Sequence, residues 1–289
     1  MSDFRRALIV AVVALSMPVP GAAQTLTDKP VLYGKNWVAI TGKPMAATAG
    51  AQIFFEGGNA VDATCAMLAA AATMWDTLHW GGETQALIHN PETGQVIGIN
   101  AMGVAPTGAT AEFFSDMGLA YPPEYGPLAA TTPGTPGGLM VMLAEYGTMS
   151  LAEVLAPAIE MADGYPIEAG TVQRINDNLH ELIKWPYSKA LFLSSDGGRL
   201  RAPRVSEMFR QPQLKATLEK LVATEQAALE QSADRGTPNL ATGCLQYRMW
   251  RSQHDLVRRD PVEQRAHVAE VRHGDPDLAD LALRHRIVF

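Results

Sequence analysis

Apolar residues repeat at helical intervals along the segment "NAVDATCAMLAAAATMW", residues 59–75. The spacing of i, i+4, i+7, i+11 and i+14 predicts one continuous apolar helix face. Asn59 is a favourable N-cap, and Asp62 lies in the first turn near the positive end of the helix dipole. The other positions are mostly alanine, so we expect a helix that is buried between two layers. The residues of the predicted face are Val61, Cys65, Leu68, Ala72 and Trp75.

Further helices are predicted on both sides of this segment. The stretch "PMAATAGAQIFFEGG" predicts a helix with Pro44 just ahead of it and Gly57 just after it. Ser150 with Glu153 forms a capping box for "LAEVLAPAIEMADG". A short helix is expected to end at Gly118, and another apolar helix at Gly147. Two more helical regions are expected at about 169–184 and about 211–231.

The β signals are fewer. "WVAITGK", residues 37–43, is β-branched and bounded by glycine, and predicts a first strand or the exit from one. "TQALIHNPETGQVIGIN" has two apolar runs around a loop that contains proline and glycine, which predicts a hairpin. The stretch 120–138 is dense in proline and glycine and predicts a loop. The fold class is therefore α+β and predominantly helical, without an internal repeat.

Composition excludes some functions. The chain has 289 residues, 47% of them hydrophobic, and a net charge of −7, so nothing suggests a nucleic-acid partner. Two cysteines cannot form a disulfide framework, and Cys65 lies among apolar residues that predict a core position. Residues 1–23 have two arginines, an apolar run and a "GAA" site, which predicts a signal peptide and hence a periplasmic or secreted protein. The alternative is a membrane anchor, but the run is too short to span a bilayer.

The character of the chain changes after residue 233. Residues 234–289 contain nine arginines, no lysine and four of the seven histidines, with poor hydrophobic periodicity. Acidic residues nearly balance the arginines, which argues against a binding arm. A domain boundary, a disordered tail and translation in a shifted reading frame remain open, and we favour the frameshift or gene-fragment interpretation. The domain prediction is thus a signal peptide at 1–23, a folded domain at 24–233 and an atypical tail at 234–289.

The sequence contains few candidate catalytic residues. The sequence has no G-x-S-x-G, phosphate-binding glycine loop or H-E-x-x-H, and its C-terminal histidines lack the spacing of metal ligands. No metal or cofactor is therefore predicted. His79, just ahead of "WGGET", is interpreted as a hydrogen-bonded structural residue rather than a general base.

Four landmarks, in order, resemble the γ-glutamyltransferase (glutathione hydrolase) family. "AGAQIFFEGGNAVDATCAMLAAAATM" is similar to A-G-x-x-I-L-x-x-G-G-N-A-V-D-A-A-V-A-A, and "HWGGETQALIHNPETGQV" to the family's glycine-rich turn and strand. "GVAPTGAT" resembles the R-E-x-A-P segment. "TPGTPGGLMVMLAEYGTMSLAEVLAPAIEMADGYPI" is similar to V-P-G-x-x-x-G-L followed by L-x-P-A-I and G-F-x-V. The resemblance covers roughly 36–232 and is densest over 46–166.

The resemblance implies an exported precursor with an N-terminal-nucleophile hydrolase fold, in which two sheets lie between helical layers. In such proteins the precursor cleaves itself ahead of a threonine in a T-T-H segment. That threonine attacks the γ-glutamyl amide, and its own α-amine serves as the base. The match here is to the large-subunit portion only, so part of an αββα sandwich is expected, with a γ-glutamyl or other amide as small-molecule substrate and the small subunit missing.

The sequence departs from the family at two places. It contains no T-T-H segment, and Thr131–Thr132 is followed by proline and predicted to lie in a loop, so no catalytic residue is assigned. The family's arginine, which holds the substrate α-carboxylate, aligns with Met102. Methionine cannot form the bidentate, charge-assisted bond of arginine, a loss of about 1.5–3 kcal/mol. Asn100 is a weak candidate to replace it, or simply ends the strand.

Two hypotheses follow. The first is a γ-glutamyltransferase-like amidohydrolase or acyltransferase precursor without its nucleophilic threonine, inactive alone and with a preference for an acyl group other than γ-glutamyl. The second is a non-catalytic secreted binding or assembly module. An uncovered apolar sheet face counts against the second, since such faces promote aggregation.

Overall fold

The structure is a computed structural model that describes residues 32–75 and 79–233. The described residues belong to two separate units, 32–38 and 39–233, and each is considered by itself. Residues 32–38 have no regular secondary structure, and Leu32 and Tyr33 are exposed. The predicted signal peptide and the tail at 234–289 lie outside the described residues.

Helices dominate the described part of the second unit, which contains nine α-helices and a single 3₁₀ turn at Pro127–Ala129. The helices are α1 Pro44–Phe55, α2 Ala60–Thr73, α3 Ala111–Asp116, α4 Thr135–Tyr146, α5 Leu151–Asp163, α6 Ala169–Asp177, α7 Leu179–Leu182, α8 Pro186–Phe192 and α9 Pro212–Ala233. Three helices that the sequence predicts, α1, α2 and α5, contribute much of the buried core.

Six short strands form three two-stranded antiparallel sheets within the described residues. The strands are β1 Thr84–His89, β2 Val96–Ala101, β3 Tyr165–Pro166, β4 Ser194–Asp196, β5 Arg199–Arg201 and β6 Met208–Phe209. β1 pairs with β2, β3 with β6 and β4 with β5. The predicted hairpin is therefore confirmed, with its turn at 90–95.

Helix α2 begins as its sequence predicts. The Asn59 side chain accepts hydrogen bonds from Val61 N (2.7 Å) and Asp62 N (3.0 Å), and the Asp62 carboxylate accepts one from Asn59 N (2.8 Å). Helix α2 packs against α1, α4 and α5, and its alanines allow a close approach on several sides. The fully buried residues of α2 include Ala63, Cys65, Ala66, Ala69 and Ala70.

Helix α5 also begins with its predicted capping box. Ser150 Oγ accepts a hydrogen bond from Glu153 N (3.3 Å), and Glu153 Oε2 accepts one from Ser150 N (2.8 Å). Two buried carboxylates join this helix start to distant elements. Glu225 of α9 accepts from Leu151 N at 2.9 and 3.0 Å, and Asp62 of α2 accepts from the backbone of the two residues before Ser150.

The hairpin β1–β2 is packed on one face only. Ala86, Ile88 and Ile99 contact the core, while Leu87 is 80% exposed and Val96 62% exposed. The register runs from Thr84 opposite Ala101 to His89 opposite Val96. The alternation of buried and exposed positions is the period of two that a strand imposes on its side chains.

The structure corrects one expectation, the strand, and divides a predicted helical region into two helices. Residues 37–43 form no strand, because a strand needs a hydrogen-bonding neighbour and none of the six described strands pairs with them. The helical region 169–184 is two helices that meet at Asn178, whose side chain donates to Arg174 O (2.9 Å). Helix α8 and the β4–β5 hairpin were not predicted. The described residues are predominantly helical with a minor β part, and they do not form two stacked sheets by themselves.

Candidate functional site

The predicted substrate-binding positions lie together at the end of β2. Asn100 is the penultimate residue of the strand, and Met102 follows the strand directly. Asn100 Oδ1 accepts a hydrogen bond from Met102 N at 3.2 Å, a local bond that turns the chain out of the strand. Met102 is 47% exposed, so its side chain is accessible to a ligand.

A residue that the sequence analysis missed completes this group. Gln85 of β1 lies opposite Asn100, and both side chains are exposed. Gln85 Nε2 is 2.9 Å from Met102 Sδ. The alternation in β1 indicates that Gln85 faces outward, but only the strand register, which the sequence does not contain, places it beside Asn100.

Glycine is required where the chain leaves β2. Thr132 N donates to Val104 O (2.9 Å), so the segment after β2 runs beside the loop at 131–132. A Cβ on Gly103 would lie 2.2 Å from Thr132 O, which no side chain could tolerate without a backbone shift. Thr131–Thr132 lies in irregular structure before α4, as predicted.

The glycine turn before β1 is bound to the start of α4. Gly82 O accepts hydrogen bonds from Gly134 N (2.9 Å) and Thr135 N (3.1 Å). Thr84 Oγ1 donates to Thr135 Oγ1 (3.3 Å), which donates to His79 O (3.2 Å). Because Gly82 already occupies these amides at the start of α4, they are not a ready anion-binding site.

His79 and Cys65, the residues that could act as a base or a nucleophile, have surroundings that favour a structural role. His79 accepts hydrogen bonds through its backbone carbonyl, from Gly82 N (2.9 Å) and Thr135, and burial lowers the pKa of its imidazole. Cys65 is fully buried, as predicted, and its Sγ lies 3.7 Å from Leu139 O. Burial, with a smaller contribution from the charge of Asp62, raises the pKa of the thiol to about 12. A thiol with that pKa is not an activated nucleophile.

Other kinds of site find little support in the part of the chain that the structure describes. Over residues 32–75 and 79–233, no three histidine, cysteine, aspartate or glutamate side chains are grouped so that they could hold a metal. The helices in the same ranges are too short or too polar to cross a membrane. The histidines at 254, 267, 273 and 285 lie outside the described residues.

Comparisons with known proteins identify relatives of this helical body. The family model described as gamma-glutamyltranspeptidase matches residues 46–229. The acylase ACY 1 proenzyme of Pseudomonas sp. (strain SE83) is 32% identical over 200 residues, 65% of this chain and 35% of the relative. The glutathione hydrolase proenzyme of Bacillus subtilis (strain 168) is 31% identical over 162 residues, 54% of this chain and 28% of the relative.

A solved structure of the same family also matches this chain. The γ-glutamyltranspeptidase of Helicobacter pylori superimposes with a TM-score of 0.62 and 31% identity, over 67% of this chain and 56% of the other. The fold and these likenesses thus define a relative of the hydrolases and transferases that are made as proenzymes. The chain belongs to the gamma-glutamyltranspeptidase family. It spans about a third of the length of the curated relatives it matches.

Proposed function

We propose that this chain supplies the large-subunit part of an amide-cleaving enzyme, an amidohydrolase or acyltransferase, whose substrate carries an acyl group other than γ-glutamyl. In this proposal the nucleophilic threonine belongs to a segment that is not among these 289 residues, because they contain no Thr-Thr-His stretch. These residues alone are therefore inactive in our proposal.

The observation that carries the substrate proposal is Met102. In the resemblance of "AMGVAP" to R-E-x-A-P, it falls at the position of the family's carboxylate-binding arginine. It is half exposed at the exit of β2, with two neutral carboxamides beside it. A thioether does not neutralise a carboxylate, so an uncharged acyl group suits this site better. The acylase relative supports the same direction, since its name refers to acyl rather than γ-glutamyl chemistry.

The chemistry would be acyl transfer through a threonine ester. The threonine Oγ bonds to the amide carbonyl carbon and passes its proton to the threonine's own α-amine. The C–N bond then breaks, and the departing amine takes that proton. Water or an acceptor amine attacks the ester, releases the acyl group and restores the hydroxyl. The large-subunit part contributes the acyl-binding wall around Met102.

The finer architecture and the location belong to this proposal. Both edges of the β1–β2 hairpin lack a further strand among the described residues, so strands from the second subunit would extend it towards the sandwich of the family. The signal peptide predicted at 1–23 would direct the protein to the periplasm or outside the cell. The non-catalytic alternative is not favoured, because the relatives reported above are named as enzymes.

The test is reconstitution. We would purify the chain alone and together with the threonine-bearing part of a family member, and follow 4-nitroaniline release from butyryl and γ-glutamyl anilides. The chain alone should show no turnover, and the pair should prefer the butyryl substrate. Met102→Arg should shift that preference towards the γ-glutamyl substrate by about tenfold, the effect of about 1.4 kcal/mol.

Met117→Arg provides the matched control, since Met117 is 42% exposed but follows α3. It should leave the preference unchanged. Turnover by the chain alone would contradict the missing-nucleophile proposal. A γ-glutamyl preference with Met102 in place would contradict the substrate proposal.

A further inference from the structure

The chain segment that leaves β2 rests on residues 132–135, the support segment, which leads into α4. Thr132 N donates a hydrogen bond to Val104 O (2.9 Å), just after β2. Gly134 N donates to Gly82 O (2.9 Å), just before β1. One short stretch of backbone therefore binds both strands of the hairpin at the same end.

Two glycines allow the backbones to approach, and each of them faces a carbonyl oxygen of the other segment. A Cβ on Gly103 would lie 2.2 Å from Thr132 O. In return, a Cβ on Gly134 would lie 2.0 Å from Ala101 O. Both oxygens belong to the backbone, so neither can turn aside as the end of a side chain could. The backbone of Gly134 is right-handed, with a φ of −91°, so space rather than conformation demands glycine there.

The first turn of α4 adds a third close approach, on the side of the hairpin that faces the helices. A Cβ on Gly138 would lie 2.6 Å from the Cβ of Ala101 and 3.4 Å from that of Thr84. Thr84 is buried, and its Oγ1 donates to Thr135 Oγ1 (3.3 Å). These contacts lie opposite the outward face, so a second sheet over that face would leave them in place.

Met102 lies between two of these contacts along the chain. The residue before it places its carbonyl oxygen against Gly134, and the residue after it is Gly103. The Met102 side chain extends towards Gln85 of β1, with its Sδ 2.9 Å from Gln85 Nε2. The backbone of Met102 is thus fixed on both sides, while its side chain is half exposed. A displacement at either glycine would therefore move the thioether.

We propose that Gly103, Gly134 and Gly138 are positioning residues, which fix Met102 relative to α4 and thereby set the preference of the enzyme for its acyl group. This rests on the proposed function, in which Met102 belongs to the acyl-binding wall. Recognition groups act only when they are held within about 0.5 Å of their productive place. A larger residue at any of the three positions keeps the methionine but displaces it, so selectivity is lost although every residue of the wall is present.

The first test uses the whole chain and needs no turnover. We would label the methionine methyl groups with ¹³C, assign the Met102 signal with Met102→Leu and compare variants by NMR. Gly103→Ala and Gly134→Ala should each shift the Met102 signal by more than its linewidth and leave the signal of Met117, after α3, in place. Gly170→Ala is the matched control in α6, because a Cβ there meets no atom within 4 Å. It should shift neither signal.

A second pair of variants keeps the test decisive if an alanine at 103 or 134 prevents folding. Gly138→Ala should shift the Met102 signal, because its Cβ would meet the Cβ of Ala101. Adding Ala101→Gly removes that contact and should restore the signal. A Met102 signal that stays in place in Gly138→Ala would overturn the proposal, as would a shift or a loss of folding that Ala101→Gly does not reverse.

The reconstituted enzyme gives the selectivity readout. In the Gly138→Ala background, Met102→Arg should change the preference between butyryl and γ-glutamyl substrates by less than about threefold, against about tenfold in the wild type. Ala101→Gly should bring back the larger change, and a tenfold change in every background would overturn the proposal. A Met102 signal that responds as expected, in a chain whose reconstituted pair has no turnover, would refute the proposed function alone. An active pair whose glycine variants leave the signal unmoved would refute this inference alone.

Discussion

The start of α5 and the β1–β2 hairpin differ in how many of their polar groups are bound by residues of other elements. At the start of α5, two buried carboxylates from α2 and α9 bind backbone amides, and the capping box satisfies more. On the hairpin, every second side chain projects away from the protein. Stability is therefore concentrated in the helical part, and the outward hairpin face is exposed within the described residues. The following predictions test that contrast, from the largest expected effect to the smallest.

Asp62→Ala should have the largest effect. Asp62 is fully buried and accepts from Asn59 N, Thr148 N, Thr148 Oγ1 and Met149 N at 2.7–3.2 Å. Its loss leaves these donors without an acceptor and should lower the free energy of unfolding by about 3–5 kcal/mol in urea titrations. Glu92→Ala, in the exposed hairpin turn, is the matched control and should change it by less than about 0.5 kcal/mol. Similar values for both acids would contradict the contrast.

Glu225→Gln should come second. The carboxylate of Glu225, only 1% exposed, lies 2.9 and 3.0 Å from Leu151 N at the positive end of α5. The amide keeps one acceptor but loses the charge, so we expect a loss of about 1–3 kcal/mol in the free energy of unfolding. Glu230→Gln, exposed on the same helix, should have almost no effect. Equal unfolding midpoints for the two variants would show that Glu225 does not anchor α9.

Ser150→Ala should cost about 1 kcal/mol, the usual effect of removing an N-cap side chain. The Ser150 hydroxyl accepts from Glu153 N, and Glu225 still binds Leu151 N in the variant, so the helix start is weakened but not lost. Urea midpoints of this variant and of Ser195→Ala, in the exposed strand β4, give the comparison. A loss as large as that of Asp62→Ala would mean that the local cap outweighs the buried carboxylate.

The Lys215–Asp163 pair should give a smaller, pH-dependent effect. The hydrogen bond between them (2.9 Å) lowers the pKa of Asp163 and raises that of Lys215. An acid whose pKa is lowered on folding stabilises the protein at pH values above its unfolded pKa. This stabilisation is lost as the pH falls through the folded pKa. A lysine whose pKa is raised on folding stabilises the protein at pH values below its unfolded pKa. This stabilisation is lost as the pH rises through the folded pKa. The difference in melting temperature between the wild type and Lys215→Met should therefore shrink below about pH 4 and above about pH 10.5.

The control for this pair is Lys220→Met, an exposed lysine on the same helix. Its difference in melting temperature from the wild type should be smaller and should not shrink in the same two pH ranges. A Lys215→Met difference that stays constant from pH 2 to 12 would rule out the ion pair as its cause.

Leu87→Thr should have the smallest effect. Leu87 is 80% exposed on the outward face of β1, and threonine suits a strand. The free energy of unfolding should change by less than about 0.5 kcal/mol, whereas Ile88→Thr, on the inward face that contacts the core, should lose about 1–3 kcal/mol. Equal losses would show that the outward face is packed in solution.

The sequence predicts those features whose causes lie within a few residues. The N-cap at Asn59, the capping box at Ser150 and the hairpin turn are of this kind, because the interacting residues are within a few positions of each other. Glu225 and Leu151 are 74 positions apart, and no local pattern marks them as partners. For the same reason the strand prediction at 37–43 was wrong: β-branched residues favour a strand, but the partner that would complete one is not in the local sequence.

The candidate site divides in the same way. Met102 and Asn100 could be singled out because they lie in a segment that resembles the family's. Gln85 could not, since it reaches Met102 only across the register of two strands. The requirement for glycine at position 103 is likewise set by a loop almost thirty residues further on, whose carbonyl leaves no room for a Cβ.

The alanine content of α2 has a consequence for variation in this protein. Because α1, α4 and α5 all pack on α2, its side-chain volumes set the distances between those helices. Gly138 of α4 approaches Ala101 so closely that a Cβ would lie 2.6 Å from that side chain. An enlarged residue in α2 would therefore displace α4 and, through it, the end of β2. In a saturation-mutagenesis library, the fully buried alanine positions 63, 66, 69 and 70 should tolerate few replacements larger than cysteine, and the tolerated ones should still shift the end of β2.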